Sequence, residues 1–314
     1  MKVLITGGVG FIGRWVVREF LNDSFYVTII DNLSNSSEEN IKEFNGLKEF
    51  RFIRGDIKDT SLLKNIFEQN GFDSVIHLAA SINVQDSIDD PLSTFENDVL
   101  GTLNILECCK KWKVPIVYTS TCLVYDKSNG KAIDEGWRTQ PRSPYSASKL
   151  SSEEFVISYG HSYNIPYTIL RPFNTYGPYQ RFTGEGGVIA TFISRALEGK
   201  PLQIYGDGRQ TRDFLFVEDC ARFIKLATLN EGAYGRVFNA GTGRETDINT
   251  LAELISKGRV EIIHTEHIHP QAEIGRLRCD WSLAKKTLGW APDVSFEDGI
   301  KRTEEWLSKR LKGM

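Results

Sequence analysis

The segment Lys2-Val-Leu-Ile-Thr-Gly-Gly-Val-Gly-Phe-Ile-Gly13 joins a short β-branched run to three spaced glycines and an apolar helical pattern. Gly7, Gly10 and Gly13 let the chain turn tightly, let backbone N–H groups approach a pyrophosphate, and let the next helix pack close to the strand. The following apolar run closes on Asp31, about 20 residues on, where a carboxylate accepts both ribose hydroxyls and repels a 2′-phosphate. This order predicts a dinucleotide site that prefers NAD to NADP. The spacing is GxxGxxG rather than GxGxxG, and a turn that binds no nucleotide is the alternative.

Composition narrows the classes of function. The chain has 314 residues, 40% of them hydrophobic, enough for a full core and about two structural lobes. Its net charge is -3 and it has no basic run, so nothing favours nucleic acid or a membrane surface as partner. No apolar run approaches the roughly 18 residues of a membrane span, and the first residues show no leader pattern. Five cysteines without a CxxC pair suit a reducing compartment, so we expect a soluble cytoplasmic protein.

The alternation of β-rich runs and helical patterns predicts an α/β fold, a Rossmann-type doubly wound parallel sheet with a smaller α/β lobe. The predicted strands are residues 2–6, 26–30, 50–54, 74–80, 115–120 and 167–172. A helix over 91–112 covers the sheet, and segments 212–217, 220–228 and 237–241 are expected to return to this first lobe. Residues 1–172 plus 213–241 would form the NAD-binding domain, and residues 173–212 plus 242–314 the C-terminal substrate-binding lobe. The cleft between them is the expected site.

Tyr145 and Lys149 stand four residues apart, hence on the same face of a helix. A lysine cation, added to the positive nicotinamide ring of NAD⁺, lowers a tyrosine pKa from about 10 toward neutrality and makes the phenolate a general base. Thr121 follows the fifth predicted strand at the carboxyl edge, where such sheets bind ligands. Its hydroxyl can bind the substrate oxygen that Tyr145 deprotonates. A surface helix pair beside a polar strand end is the alternative.

The sequence carries further motifs along essentially its whole length. They are Thr6-Gly-Gly-Val-Gly-Phe-Ile-Gly13, Asp31-Asn-Leu-Ser34, Gly55-Asp-Ile57, His77-Leu-Ala-Ala80, Asn97, Tyr145-Ser-Ala-Ser-Lys149, Arg171-Pro-Phe-Asn-Thr-Tyr-Gly-Pro178, Gly206-Asp-Gly-Arg-Gln-Thr-Arg-Asp-Phe214, Asp219 and Leu288-Gly-Trp290. Together they resemble the extended short-chain dehydrogenase/reductase family, and within it the NAD-dependent epimerases and dehydratases of nucleotide sugars.

The resemblance implies a set of site residues and a homodimer. Those implied to hold NAD are Gly7, Gly10, Phe11, Ile12, Gly13, Asp31, Asn32, Leu33, Ser34, Asp56, Ile57, Leu78, Ala79, Ala80, Asn97, Tyr145, Lys149 and Phe173. Those implied to touch the nucleotide-sugar substrate are Thr121, Tyr145, Asn174, Val188, Tyr205, Arg212 and Leu277. Thr121, Tyr145 and Lys149 are the implied catalytic residues. The homodimer would form through the helices near 91–112 and 144–163.

Dehydratases and decarboxylases of this family usually carry an acidic residue just after the strand-five hydroxyl, but here Cys122 and Leu123 follow Thr121. The chemistry left is oxidation and re-reduction at carbon 4, which is 4-epimerisation through a 4-keto intermediate. Cys122 is expected to pack in the wall of the site, since no neighbouring cation in sequence stabilises its thiolate. The alternatives are a dehydratase or UDP-uronate decarboxylase that uses another acid, such as Glu185, and a protein that senses NAD without turnover.

A second departure lies near the predicted diphosphate site, where Pro270 stands in place of the arginine usual in the epimerases. His264, His267 and His269 lie just upstream. Donors to phosphate, exposed loop residues and a metal site are the open interpretations, although this redox chemistry needs no Lewis acid and we expect no metal. In the epimerases that the chain resembles, the residue matching Leu277 lies beside carbon 2, where a large aromatic excludes N-acetyl groups and a smaller side chain such as leucine is expected to admit them. The resemblance thus implies a UDP-hexose or a UDP-N-acetylhexosamine as substrate.

Overall fold

The computed structural model describes residues 1–182, 187–266 and 274–312. Its strands are β1 (Lys2–Thr6), β2 (Tyr26–Asp31), β3 (Phe50–Arg54), β4 (Ser74–His77), β5 (Ile116–Thr119), β6 (Tyr167–Pro172), β7 (Asn174–Tyr176), β8 (Leu202–Tyr205), β9 (Thr211–Arg212), β10 (Phe214–Phe216), β11 (Arg236–Ala240), β12 (Thr246–Asp247) and β13 (Ile262–Thr265). Its α-helices are α1 (Phe11–Asn22), α2 (Thr60–Asn70), α3 (Val84–Asp89), α4 (Pro91–Phe95), α5 (Gly101–Trp112), α6 (Pro144–Tyr163), α7 (Val188–Leu197), α8 (Val217–Leu229), α9 (Ile248–Ser256), α10 (Ser282–Leu288) and α11 (Phe296–Lys312).

Seven parallel strands of the described chain form the main sheet, in the order β11-β6-β5-β4-β1-β2-β3. The chain builds β1 to β3 outward on one side, then crosses back and builds β4 to β6 on the other. The strand order therefore reverses between β1 and β4, and ligands bind outside the carboxyl ends of the strands at such a point. The predicted doubly wound Rossmann-type fold is confirmed.

Side chains of the main sheet alternate between two buried cores. In β1, Val3 and Ile5 join the core beneath α1 and α8, whereas Leu4 joins the core beneath α2, α5 and α6. All three side chains are fully buried because helices cover both faces of the sheet. The apolar runs of the sequence, rather than alternating ones, are typical of such strands.

A smaller α/β unit packs around a third core. Strands β8 and β13 pair in parallel, and β9 pairs antiparallel with β12. Apolar side chains from α7, α9 and α11 close over them, among them Phe192, Leu251 and Leu307. This agrees with the predicted smaller lobe. No helix of the described residues combines the length and apolar character that a membrane span requires.

Three local features differ from the sequence expectations. Strand β4 ends at His77 rather than residue 80, because the Thr6 hydroxyl accepts the N–H groups of Leu78 and Ala79 at 3.2 and 3.1 Å and draws the chain off the sheet. The helix expected over 91–112 contains a π-helical turn, Glu96–Leu100, between α4 and α5. Strand β10 pairs with β7 instead of joining the main sheet.

Strand β10 lies between the two lobes. Phe214 and Phe216 belong to the core of the smaller unit, whereas Leu215 belongs to the core beneath α1 and α8. The alternation along an extended strand gives each core one face of β10. The predicted domain boundary at residue 213 remains a prediction.

Candidate functional site

The glycine-rich turn after β1 has a shape that only glycine fits at two positions. Gly7 has a φ of +69°, and a Cβ there would lie 2.8 Å from the backbone nitrogen of Ala79. A Cβ at Gly13 would collide with the carbonyl oxygen of Gly7. Helix α1 begins at Phe11, and its N-cap Gly10 has no side chain to cap the first N–H groups. The turn thus fits a pyrophosphate, as the sequence predicts.

Asp31 ends β2 beside this turn. Its Oδ2 accepts the N–H of Val9 at 3.0 Å, and its Oδ1 accepts the N–H of Leu33 at 2.8 Å. Oδ1 also accepts the hydroxyl of Ser36 at 3.2 Å. A carboxylate oxygen has about two lone-pair positions, so Oδ2 keeps the capacity to accept a ribose hydroxyl, whereas Oδ1 would exchange the Ser36 hydroxyl for one. The structure thus brings the predicted ribose residue and the predicted phosphate turn together.

Other predicted cofactor residues lie at the carboxyl ends of the neighbouring strands. The Asn32 amide donates to Asp56 Oδ2 at 3.1 Å, and the N–H of Ser34 donates to Asn32 Oδ1 at 3.0 Å. Ile57 is buried after β3, where Asn104 of α5 binds its carbonyl at 3.1 Å. Residues 78–80 follow β4 directly. All of these lie along one edge of the sheet, so they can serve one extended ligand.

Thr121, Tyr145 and Lys149 meet where β5 and α6 approach each other. Thr121 starts a short 3₁₀ turn, Cys122–Val124, and its hydroxyl accepts the N–H of Leu123 at 3.2 Å. Helix α6 begins with a capping box formed by Ser143 and Ser146, which places Tyr145 in its first turn. Tyr145 is 9% exposed and Lys149 3% exposed. The residues predicted to be catalytic therefore line one largely enclosed place.

The pKa values of Tyr145 and Lys149 are set mainly by burial and by the charge of Asp98. Burial raises the pKa of Tyr145, Asp98 raises it further, and the Thr121 hydroxyl lowers it. Burial lowers the pKa of Lys149, while Asp98 and Glu153 raise it. The protein's own groups thus hold Tyr145 protonated near neutral pH, and a lowering of its pKa by Lys149 and nicotinamide stays a prediction.

His77 lies at the end of β4 as a neutral hydrogen-bonding group. Its Nδ1 is 2.6 Å from Thr6 Oγ1 and its Nε2 is 3.0 Å from Thr102 Oγ1. Burial and the charge of Lys149 lower the pKa of His77 to about 3. The imidazole therefore links β1, β4 and α5 and carries no charge near neutral pH.

Asp98 is a central residue of the site that the motifs do not identify. The family pattern points to Asn97, whose amide donates to Ser81 Oγ at 3.1 Å and to Asp98 Oδ1 at 3.3 Å. Asp98 itself is 1% exposed. A signal for it exists in the sequence, because Thr94, Asp98 and Thr102 follow an i, i+4 spacing on a helix face that is otherwise apolar.

The residues predicted to hold the diphosphate lie on the smaller lobe and beside β7. Nδ2 of Asn174 is buried and has no hydrogen-bond partner within the described residues, which suits an amide that donates to a ligand. Arg212 directs Nη1 to the carbonyl oxygens of Thr211 and Ile274, each at 2.8 Å. Val188 is the first residue of α7.

Tyr205 ends β8 at the rim of an open cavity of about 360 Å³, also lined by Gln210 and Arg276. Its side chain is 44% exposed. A half-exposed ring at the rim of such a cavity can cover the flat face of a base. The predicted contact of Tyr205 with the substrate stays a prediction.

The wall behind Thr121 is an apolar cluster. Cys122, Phe173, Leu277 and Cys279 pack together in it, each at most 2% exposed. Burial raises the pKa of Cys122 to about 12, so its thiol is protonated near neutral pH. Leu277 is completely covered by its neighbours, and its predicted contact with carbon 2 of the sugar stays a prediction.

Some predicted residues lie outside the described part of the chain, namely Glu185, His267, His269 and Pro270. His264 is described and lies with Nδ1 3.0 Å from the carbonyl oxygen of Gly206. Within residues 1–182, 187–266 and 274–312, no group of three His, Cys, Asp or Glu side chains is arranged to hold a metal ion.

Comparison with known proteins identifies the family. The family model described as GDP-mannose 4,6 dehydratase matches residues 4–303. The chain belongs to this family. Its members are extended short-chain dehydrogenase/reductases, so the resemblance inferred from the motifs is confirmed.

Relatives of known name cover nearly the whole chain. A putative UDP-glucose 4-epimerase of Methanocaldococcus jannaschii is 37% identical, covering 97% of this chain and 98% of the relative. The structure of Pal from Bacillus thuringiensis is similar with 53% identity and a TM-score of 0.97, covering 99% and 100% of the two chains. A UDP-glucose 4-epimerase of Thermus thermophilus in complex with NAD has 32% identity and a TM-score of 0.90, covering 98% and 99%.

Proposed function

We propose that this protein is an NAD-dependent 4-epimerase of a nucleotide-diphosphate sugar, either a UDP-hexose or a UDP-N-acetylhexosamine. The observation that carries the proposal is the meeting of Thr121, Tyr145 and Lys149 at the carboxyl edge of a sheet whose glycine turn and Asp31 fit NAD. The Thermus relative that binds NAD and the relatives named as epimerases support it.

The chain's own residues move one proton in each direction. NAD⁺, which the glycine turn and Asp31 would hold, would supply the acceptor for the hydride at carbon 4 of the sugar and, in its reduced form, the donor that restores it. Tyr145 takes the proton of the 4-hydroxyl, Thr121 holds the same oxygen, and Lys149 keeps a positive charge nearby. When the 4-keto sugar has turned in the cleft, Tyr145 returns the proton. Atoms and electrons balance, since the product is an isomer of the substrate.

The residues after Thr121 favour epimerisation over dehydration. Cys122 and Leu123 stand there, and both pack in or against the apolar wall. A thiol with a pKa of about 12 is too weak an acid for efficient proton transfer near neutral pH, and a leucine exchanges no proton. A dehydratase remains the second candidate because of the family's description, and it would need an acid from elsewhere in the chain.

The reaction is tested by incubating the purified protein with UDP-, dTDP-, GDP- and CDP-sugars and resolving the products. We expect an equilibrium pair of 4-epimers of unchanged mass. With substrate deuterated at carbon 4, the label should stay at carbon 4. Loss of water or carbon dioxide, or transfer of the label to another carbon, would overturn epimerisation.

The cofactor is tested separately by denaturing the protein and identifying the released nucleotide. We expect NAD(H), because Asp31 stands where a 2′-phosphate would lie. Stoichiometric NADP would contradict the proposed role of Asp31. The result does not depend on which sugar is the substrate.

We also propose that the protein is a homodimer. Large apolar side chains are exposed along α4, the π turn and α6, with Leu92 65% and Phe95 53% exposed, and with Leu100, Phe155 and Tyr163 beside them. A second copy is the proposed cover, since a two-fold pairing of these helices buries the same patch on both subunits. Light scattering at micromolar concentration tests this, and a monomer would contradict it.

We also propose that the protein is cytoplasmic. Its five cysteines are free and buried, which supports this location.

A further inference from the structure

The π turn after α4 brings a buried carboxylate to the catalytic helix. Asp98 lies in this turn, and its Oδ2 accepts the hydroxyl of Ser148 in α6 at 2.9 Å. Its Oδ1 accepts the N–H of Ser81, in the loop after β4, at 2.6 Å. Its carbonyl oxygen accepts the hydroxyl of Ser152 at 3.0 Å. One residue thus fastens α6 to the loop that follows β4.

The Asp98 carboxylate also acts on the buried charge of Lys149. Lys149 is 3% exposed and has two acidic neighbours, Asp98 and Glu153. Glu153 already forms a bidentate ion pair with Arg171. Burial raises the pKa of Asp98, and the charge of Lys149 lowers it. Asp98 is therefore the carboxylate available to balance Lys149, and an unbalanced buried charge is costly.

The other titratable groups around Asp98 and Tyr145 are uncharged or paired. Burial raises the pKa of Tyr118 and of Cys122 and lowers that of His77, so all three are neutral near neutral pH. Removal of the charge at position 98 therefore acts on Tyr145 and Lys149 and also on Tyr118, whose pKa Asp98 raises as well.

We propose that Asp98 is a positioning residue, whose carboxylate fixes α6 against the loop after β4 and supplies a buried negative charge to the part of α6 that carries Tyr145 and Lys149. The inference rests on the proposed function, because it concerns the groups that move the proton there. Asp98 does not touch the reacting atoms in this role. It sets the protonation of the residues that do.

The test uses the NAD-loaded protein and needs no sugar. Titration of the tyrosinate absorbance, measured as the difference between a protein and its Tyr145→Phe counterpart, isolates Tyr145 among the 11 tyrosines. Asp98→Asn keeps the shape and removes the charge. We expect the midpoint of the Tyr145 titration to fall by about one pH unit or more, because removal of a nearby negative charge favours the phenolate.

Two further variants make the result decisive. Asp98→Ser is a second neutral replacement and should lower the midpoint in the same direction. Glu96→Gln removes an exposed carboxylate from the same π turn and should leave the midpoint in place. An unchanged or higher midpoint in both position-98 variants, or an equal fall in Glu96→Gln, would overturn the proposal. If the midpoint falls but no epimer forms, the role of Asp98 stands and the proposed reaction does not.

A pH profile of turnover distinguishes an electrostatic role of Asp98 from a purely structural one. With an accepted sugar, both limbs of the profile should shift to lower pH in Asp98→Asn, because Tyr145 and Lys149 each lose the carboxylate that raises their pKa. A lower rate with unmoved limbs would mean that Asp98 acts only through packing.

Discussion

Arg171 of β6 and Glu153 of α6 form a buried two-pronged ion pair, with Arg171 Nε 2.9 Å from Glu153 Oε1. The guanidinium also lies 4.7 Å from the centre of the Tyr125 ring. The pair fastens the helix that carries Tyr145 and Lys149 to the sheet beneath it. Its partners are 7% and 1% exposed, so water cannot replace either one.

Replacement of Arg171 by Met should therefore lower the free energy of unfolding by about 3–5 kcal/mol, because Glu153 would be left as an unpaired buried charge. Urea unfolding measures the loss. The double variant Arg171→Met with Glu153→Gln is the matched control and should recover much of it. If the single variant loses less than about 1 kcal/mol, the pair behaves like a surface ion pair.

The lowered pKa of His77 predicts how the free energy of unfolding depends on pH. Its pKa is about 3 in the folded protein against 6.5 for an exposed histidine, so the unfolded chain binds the extra proton between these values. The contribution of His77 is fully present above about pH 6.5 and is lost as the pH falls toward 3. Urea unfolding from pH about 4 to 6 should show a slope about 1.4 kcal/mol per pH unit steeper than that of His77→Gln, and the two slopes should converge above pH about 6.5. Equal slopes in both proteins would contradict a neutral buried imidazole.

Tyr145→Phe should reduce turnover about a hundredfold or more while fold and NAD content remain, because only the ionisable oxygen is lost. Product formation and released nucleotide are measured on the same sample. Lys149→Met should do similar damage and also weaken cofactor binding. A wild-type rate in Tyr145→Phe would mean that another group takes the proton.

Leu277→Tyr tests the predicted contact with carbon 2. If Leu277 borders the sugar, the variant should lower kcat/KM for an N-acetylated UDP-hexosamine relative to UDP-glucose by about ten- to two-hundredfold. Leu277→Met is the control, because it changes shape with little change in volume. The full burial of Leu277 gives a distinct rival outcome, since extra volume in a packed cluster would lower stability and both activities equally.

Sequence patterns that span a few residues were sufficient to predict the fold and those parts of the site that lie within one turn of the chain. Glycines at 7 and 13, Asp31 at the end of β2, and the four-residue spacing of Tyr145 and Lys149 are each fixed by backbone geometry over a few residues. The doubly wound parallel sheet followed because apolar strands that alternate with helices form parallel sheets with few possible topologies. Each of these inferences can be made without knowing which distant side chains lie next to the motif.

The tertiary structure decided which charges meet. Asp98 and Lys149 are 51 positions apart in the numbering, and no local rule predicts that the carboxylate of one helix acts electrostatically on the ammonium of another. The early end of β4 and the pairing of β10 with β7 likewise depend on distant partners, such as the Thr6 hydroxyl that accepts the N–H of Leu78. The sequence by itself determined the chemical groups of the site, because turns and helix faces are local. Their protonation was decided only by packing, because burial and the distance between charges depend on how the helices dock on the sheet.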